Sequence, residues 1–514
     1  MKIWVLINII FLMALSFNAQ ASYKFTDLVR SLTVDKEDVV SEVPDISLFH
    51  QAKSIEEASA ISAAQTYKAM AEHEMRPTVI SESIIKALVA KKQLTVVIVP
   101  GLLGEFIDTR AFEEVFQRNS TYKNKWASLM KLNKVSDLRF NLEKNQNEDI
   151  NLAQLIDAAS IDDENGNPVV KLIILKTKLG SMESIGADVE KAVLFNRRLQ
   201  KYYELTHDEN MVMLGYSRGT PLALEMITQA EKLQLSYLTK VQAVVSYAGV
   251  VLGSSLADLT DDLATDSGRL FASAKKLQSK LQTSQNIFDR GLRYANNSTA
   301  VAEFLAALAL NSKFDEKSFQ KTVMSGDFKT VAVLIANVAT ELGFTSVIDF
   351  NGHVNRVKTF IAEILKAVDG LKTKNAVAWW KNHTLPKNIK YLSISAAMVD
   401  PSQSSIENYI YNEKTGYNDT LDDDSLQENR RAYEKATGFA LNDSQVALHQ
   451  SQFLPKLIEN LNPNNSGLKI ESLGLLQTHH WGVSLRVVNA MKDGRVNPFP
   501  REKVLLGLAA YLNQ

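Results

Sequence analysis

At residues 211–225 an apolar, strand-like run, Met211-Val212-Met213-Leu214, meets Gly215-Tyr216-Ser217-Arg218-Gly219 and continues with helical character. A serine hydroxyl is a poor nucleophile unless it is held clear of its neighbours and beside a base; a sharp strand-to-helix turn presents it in that way. The flanking glycines of this G-x-S-x-G spacing leave room that a Cβ would fill. The helix that follows points its N-terminal amides at the same spot, where negative charge developing on a substrate oxygen is stabilised. The spacing predicts a nucleophile elbow with Ser217 at its tip. A base must come from another segment, and the pair His479-His480 follows the last strand-like run, C-terminal to the serine. The other six histidines, His383 and His449 among them, read as packed or surface groups.

These residues need a frame. Leu94–Val99 is a continuous apolar, β-branched run of the kind buried on both faces of a parallel sheet, and it leads into Pro100-Gly101-Leu102-Leu103-Gly104. A strand at 169–175, a helix from about 185 to 205, the strand before Ser217, the elbow helix and a strand at 241–248 follow in alternation. This rhythm predicts an α/β fold with a mostly parallel sheet. From 254 to 387 there is only helical periodicity, at 273–281, 300–310, 329–342 and 354–371, so an inserted helical subdomain is expected. The sheet resumes at 389–394, and the last strand is expected at 470–476. The expected divisions are a signal peptide at 1–21, a helical N-terminal extension at 22–90, core at 91–253, the insertion at 254–387, and core again at 388–514. Asp422-Asp423-Asp424 reads as a solvated face or helix cap in preference to a calcium site.

A chain of 514 residues, 45% hydrophobic and 22% charged, has the profile of a soluble globular protein with a sizeable core. Met1-Lys2, the apolar run to Phe17 and an ending in Ala19-Gln20-Ala21 match a cleavable export signal, and the run is shorter than the roughly 20 residues of a membrane span. Removing 1–21 takes away Lys2 alone and moves the formal charge from −1 to −2. Near-neutrality argues against a nucleic-acid partner. The absence of cysteine excludes disulfides, thiol nucleophiles and iron–sulfur clusters, and for an exported chain favours a bacterial periplasm or extracellular fluid. The histidines show no metal-ligand spacing, and no phosphate-cradling glycine loop is present.

With these segments in order, the chain resembles the α/β-hydrolases, and among them bacterial lipases and esterases. In such enzymes the first active-site loop reads H-G-L-x-G or a close variant, and Pro100-Gly101-Leu102-Leu103-Gly104 occupies its place with proline for histidine. The resemblance implies an oxyanion hole built from the backbone N–H groups of Leu102 and Arg218. Thr478-His479-His480-Trp481-Gly482-Val483-Ser484 resembles the family's H-x-G-[VL]-[AS] segment, a register that makes His480 the base. Asn442-Asp443-Ser444-Gln445-Val446 resembles N-D-G-x-V, with Ser444 for glycine, and implies Asp443 as the acid. Asp400, after the strand near 395, and Asp258, after the strand near 248, are alternatives that the chain order Ser…Asp…His also admits.

The resemblance implies hydrolysis of carboxylic esters through an acyl-enzyme, with no metal or organic cofactor. Another acyl transfer on the same triad (phospholipase, thioesterase, peptidase, acyltransferase) remains an alternative, as does a catalytically silent binding protein. The expected partner is a small-molecule or lipid ester, and transient contact with a membrane or lipid surface stays open. In the insertion, apolar residues such as Phe304, Leu308, Val331 and Leu334 line an acyl pocket or pack the insertion's own core. Trp379-Trp380 is open between pocket wall and anchor to the sheet. Arg218 is open between an anchor for a substrate anion and a structural ion pair.

Overall fold

The computed structural model describes residues 25, 28–29, 40–41, 46–64, 82–101, 121–139, 146–176, 188–258, 366–398, 430–431, 433–435, 437–478, 480, 483–484 and 501–514. Its strands are β1 (Val40–Ser41), β2 (Leu94–Val99), β3 (Lys134–Arg139), β4 (Gln146–Asn151), β5 (Ile156–Asp162), β6 (Pro168–Leu175), β7 (Met211–Tyr216), β8 (Val241–Tyr247), β9 (Lys390–Ala397) and β10 (Lys469–Gln477). Its α-helices include α1 (Ile46–Gln51), α2 (Ile55–Ala64), α3 (Glu82–Ala90), α4 (Thr121–Leu132), α5 (Leu152–Leu155), α6 (Asp188–Thr206), α7 (Gly219–Lys232), α8 (Thr373–Asn382), α9 (Pro455–Leu461) and α10 (Arg501–Leu512).

Eight strands form one sheet in the order β1-β10-β9-β8-β7-β2-β6-β5. The six inner strands run parallel, and β1 and β5 close the two edges antiparallel. Side chains alternate across a strand, so a run apolar at every position must be covered on both faces. Val97, Val99, Met211 and Met213 pack in one core with Leu199 and Tyr202 of α6 and Leu222 and Met226 of α7. Leu94, Val96, Ile98, Val212 and Leu214 pack in the other with Ile85 and Leu88 of α3 and Val504 and Leu508 of α10.

The sheet fixes where a site can lie. After β2 the chain builds one side of the sheet, the edge strand β5 and then β6 beside β2, before crossing to place β7 on the other side and continuing outward through β8, β9 and β10. In an open parallel sheet this reversal opens a crevice at the carboxyl ends of the two strands that flank it. Here those strands are β2 and β7, paired from Thr95↔Met211 to Val99↔Gly215, so the segments that follow Val99 and Tyr216 leave the sheet side by side.

The strands expected at 94–99, 169–175, 241–248, 389–394 and 470–476 are present as β2, β6, β8, β9 and β10, and the helix expected near 185–205 is α6. The polar stretch after β2 holds more order than its composition indicates: an antiparallel β3–β4 pair and the edge strand β5. Of the expected N-terminal helices, the one at Ile55 runs to Ala64, and Phe49, Ala52 and Ala58 are buried in the α7-side core. The signal sequence, the acidic run at 422–424 and residues 259–365 lie outside the described residues, and with them the helices expected at 273–281, 300–310 and 329–342. Of the one expected at 354–371, residues 366–370 are helical. Among the described residues, no helix is long and apolar enough to cross a membrane.

Candidate active site

Ser217 stands between β7 and α7 with φ +54°, a conformation that costs a non-glycine residue free energy and that the surroundings must hold. They hold it with several bonds. The Ser217 carbonyl accepts from the N–H groups of Thr220 and Val250, both at 3.1 Å, and Thr220 Oγ1 donates back to the Gly215 carbonyl at 2.7 Å. Gly219 lets the helix start close to β2, where a Cβ would strike the Val99 carbonyl oxygen. Gly101 lies against the serine itself: a Cβ there would come within 3.0 Å of Ser217 Cβ and 3.5 Å of its Oγ. Gly219 thus lets α7 start against the end of β2, and Gly101 lets the segment after β2 pass against Ser217.

The partner of Ser217 comes from the turn after β10. His480 is buried, and its Nε2 is 2.8 Å from Ser217 Oγ. On the other side of the ring, Nδ1 is 2.7 Å from Asp443 Oδ2. A carboxylate only accepts, so Nδ1 carries the proton toward Asp443 and Nε2 is left to accept from the serine hydroxyl. Asp443, also buried, takes main-chain N–H groups from Gln445 (3.0 Å) and Val446 (2.7 Å) on Oδ1. Its main-chain carbonyl accepts from the His480 N–H at 2.8 Å, so Asp443 and His480 are joined through backbone as well as side chain.

Asp443 reaches this place on a tight turn closed by the Asn442↔Ala447 bridge, and Asn442 Oδ1 accepts the Ser444 N–H at 2.9 Å. The turn is docked beside the end of β9 by the bond from the Met398 N–H to the Asn442 carbonyl, 2.9 Å. Serines buried on the strands anchor the segment that follows: Ser246 Oγ donates to the Ser451 carbonyl at 2.9 Å, Ser451 Oγ lies 2.7 Å from Ser395 Oγ, and Ser393 Oγ accepts from the Phe453 N–H at 2.9 Å.

The structure therefore brings Ser217, His480 and Asp443 together in one hydrogen-bonded chain. It does not bring Asp258 there. That carboxylate accepts from the Thr373 N–H (2.8 Å) and Thr373 Oγ1 (2.5 Å), capping α8, so this alternative acid is corrected to a helix cap. Asp400, Leu102 and His479 lie outside the described residues. Arg218 follows the serine at the N-terminus of α7, and its buried guanidinium pairs with Asp188, the first residue of α6, at 2.5 Å. Its side chain thus ties two helices together in the described body. Trp380 anchors α8, donating from Nε1 to the Val251 carbonyl at 3.0 Å, and Trp379 donates to Glu225 of α7 at 2.8 Å. His383 stacks on Trp379 and His449 is buried, as packed groups. Among the described residues, no group of three or more His, Asp or Glu side chains could hold a metal ion.

Sequence reasoning assigned no role to Tyr216, Tyr247 or Gln450. Gln450 joins three segments around the acid turn: its carbonyl accepts from Val251 and Leu252 (2.8 and 3.0 Å), its Oε1 from Ser255 and Tyr433, and its Nε2 lies 3.3 Å from Thr373 Oγ1.

No protein-family model and no curated protein sequence matches the chain. Among solved structures, it is similar to the metagenomic carboxyl esterase MGS0156, with 15% identity and a TM-score of 0.36 over 82% of this chain and 75% of that one. It is also similar to the mature form of the Bacillus licheniformis lipase BlEst2, with 11% identity and a TM-score of 0.32 over 75% of this chain and 84% of that one. Likeness this distant carries no assignment of activity; the functional reading stands on the geometry.

Proposed function

We propose that this protein is a serine hydrolase of the α/β-hydrolase class that cleaves carboxylic esters. The observation that carries the reading is the continuous relay from Ser217 Oγ through His480 to Asp443, at 2.8 and 2.7 Å, at the switch point of a mostly parallel sheet. In the proposed reaction His480 Nε2 takes the proton as Ser217 Oγ attacks the acyl carbonyl, and Asp443 stabilises the imidazolium. His480 then gives that proton to the departing alcohol. In the second half it activates water, which releases the carboxylic acid and regenerates Ser217. Negative charge on the carbonyl oxygen falls between the start of α7 and the Gly101 loop, where the N–H groups of Arg218 and Leu102 are the proposed donors. The substrate is an ester small or flexible enough to enter this crevice, a lipid ester included. The apolar N-terminal run with its Ala19-Gln20-Ala21 ending supports export to a periplasm or to extracellular fluid.

The test is labelling of the purified protein with a fluorophosphonate, with the modified residue mapped by mass spectrometry. Labelling confined to Ser217, abolished in Ser217→Ala and slowed by about three orders of magnitude or more in His480→Ala, is the expected result. A folded sample that neither labels nor hydrolyses p-nitrophenyl esters, with or without detergent, would overturn the reading in favour of a binding protein.

A further inference from the structure

Two tyrosines at the ends of neighbouring strands reach the loop that carries His480 from below. Tyr216 ends β7 and precedes Ser217 in the chain. Its hydroxyl donates to the His480 carbonyl at 2.8 Å, and its ring lies 5.3 Å from the imidazole, tilted by 30°. Tyr247 ends β8, and its hydroxyl donates to the Val483 carbonyl, also at 2.8 Å. The two residues are register partners, Tyr216↔Tyr247, so both hydroxyls rise from one level of one sheet face. Both side chains are buried and pack in the same core as Val483. Each ring is locked by its surroundings, so each hydroxyl is a fixed point and not a side chain searching for a partner.

The attachments of His480 divide the work of placing it. The bond to Asp443 Oδ2 acts at Nδ1 and sets how the ring is turned. The bond from the His480 N–H to the Asp443 carbonyl holds one side of its main chain. Tyr216 holds the other side, at the carbonyl, and Tyr247 repeats the grip three residues on.

We propose that Tyr216 and Tyr247 are positioning residues that tie the main chain at His480 and Val483 to the ends of β7, which leads to the nucleophile, and of its neighbour β8, so that the Ser217–His480 distance is set from the sheet as well as by Asp443. The proposal rests on the serine hydrolase reading. Its particular feature is that the group placing the base and the nucleophile itself are adjacent residues of one rigid strand end. Loss of the Tyr216 hydroxyl releases the His480 carbonyl while leaving the side chains of Ser217, His480 and Asp443 chemically unaltered.

The experiment uses the full chain as wild type, Tyr216→Phe, Tyr247→Phe and the double variant. For each, the melting temperature, the fraction of molecules that fluorophosphonate can label to completion, and the labelling rate per labelled site are measured. The expected result is a nearly complete labelled fraction in all four. The rate per site falls about tenfold in Tyr216→Phe, less in Tyr247→Phe and further in the double variant, as displacement of a catalytic group by a fraction of an ångström produces. A purely structural role would lower the melting temperature and the labelled fraction while leaving the rate per labelled site at the wild-type value, and that outcome overturns the proposal. If Tyr216→Phe does not fold, Tyr247→Phe decides: an unchanged rate per site rejects the grip on the loop. Failure of the wild type to label removes the hydrolase reading itself, and is distinct from a labelling wild type with unaltered variants.

Discussion

Ser217 and Ser444 are the two serines of the described chain with positive φ, +54° and +80°, and each stands beside the relay. At Ser217 the conformation aims the hydroxyl; at Ser444 it turns the chain so that Gln445 and Val446 present their N–H groups to the Asp443 carboxylate. Glycine adopts this region without strain, and glycine is what the resembling N-D-G-x-V segment has at Ser444. His449 presents another residue-scale consequence. It is buried between Phe49 and Phe439 with Ser59 Oγ 3.5 Å from Nε2, and burial pushes its pKa down to about 3. In the unfolded chain the same side chain takes up a proton below about 6.5. The unfolded state therefore binds more protons between those values, so stability is full above about pH 6.5 and declines as pH falls toward 3. This residue alone is expected to withdraw about 2 kcal/mol between pH 8 and pH 5. Urea unfolding at the two pH values checks it: His449→Gln should flatten that part of the loss, and an equal loss in the variant would reject the assignment.

At the scale of elements, the stretches that flank residues 259–365 are sewn together. Asp258 caps α8, the Ser254 N–H donates to the Leu371 carbonyl at 2.7 Å, and Gly253 lies where a Cβ would meet the backbone of Thr373. Asp258→Ala should lower stability by about 1 kcal/mol, the usual worth of a cap, while the fluorophosphonate labelling rate stays at the wild-type value. A collapse of labelling in a folded Asp258→Ala would instead make Asp258 part of the relay. The elements legible in the sequence are those whose signal is local. β2, β7 and β8 are apolar on both faces because helices cover both, and the elbow is a contiguous motif. β3, β4 and β5 escaped because their segments, KVSDLR, QNEDIN and IDAASID, lack a continuous apolar run. His480 and Asp443 could be named through flanking residues that resemble known enzymes, whereas nothing local marks Tyr216 or Tyr247. Their bonds go to main-chain carbonyls 264 and 236 residues away, and a carbonyl has no signature in a sequence.

Across the described body, the Ser217–His480–Asp443 relay and a buried carboxylate anchor occupy opposite edges of one sheet. The relay gathers at the carboxyl ends of β2 and β7. At the amino ends, Asp208 is buried and accepts from Lys171 Nζ (2.7 Å), Thr95 Oγ1 (2.7 Å) and the Tyr202 hydroxyl (2.5 Å), and Tyr202 in turn meets the Tyr122 hydroxyl at 2.9 Å. One carboxylate thus joins β2, β6, α6 and, through Tyr202, α4. Asp208→Ala leaves a largely buried ammonium without its partner and should cost about 3–5 kcal/mol, read as a lower urea midpoint. Molecules that remain folded should label at Ser217 at the wild-type rate; slower labelling of the folded fraction would show that the two edges are coupled.

The relay's members stand far apart along the chain, with His480 263 positions after Ser217 and a main-chain bond joining His480 to Asp443. A ribosome makes the serine early and the histidine late. Throughout that interval the growing polypeptide carries Ser217 without the histidine that faces it, so on the proposed reading a chain halted anywhere before residue 480 lacks the base of the relay.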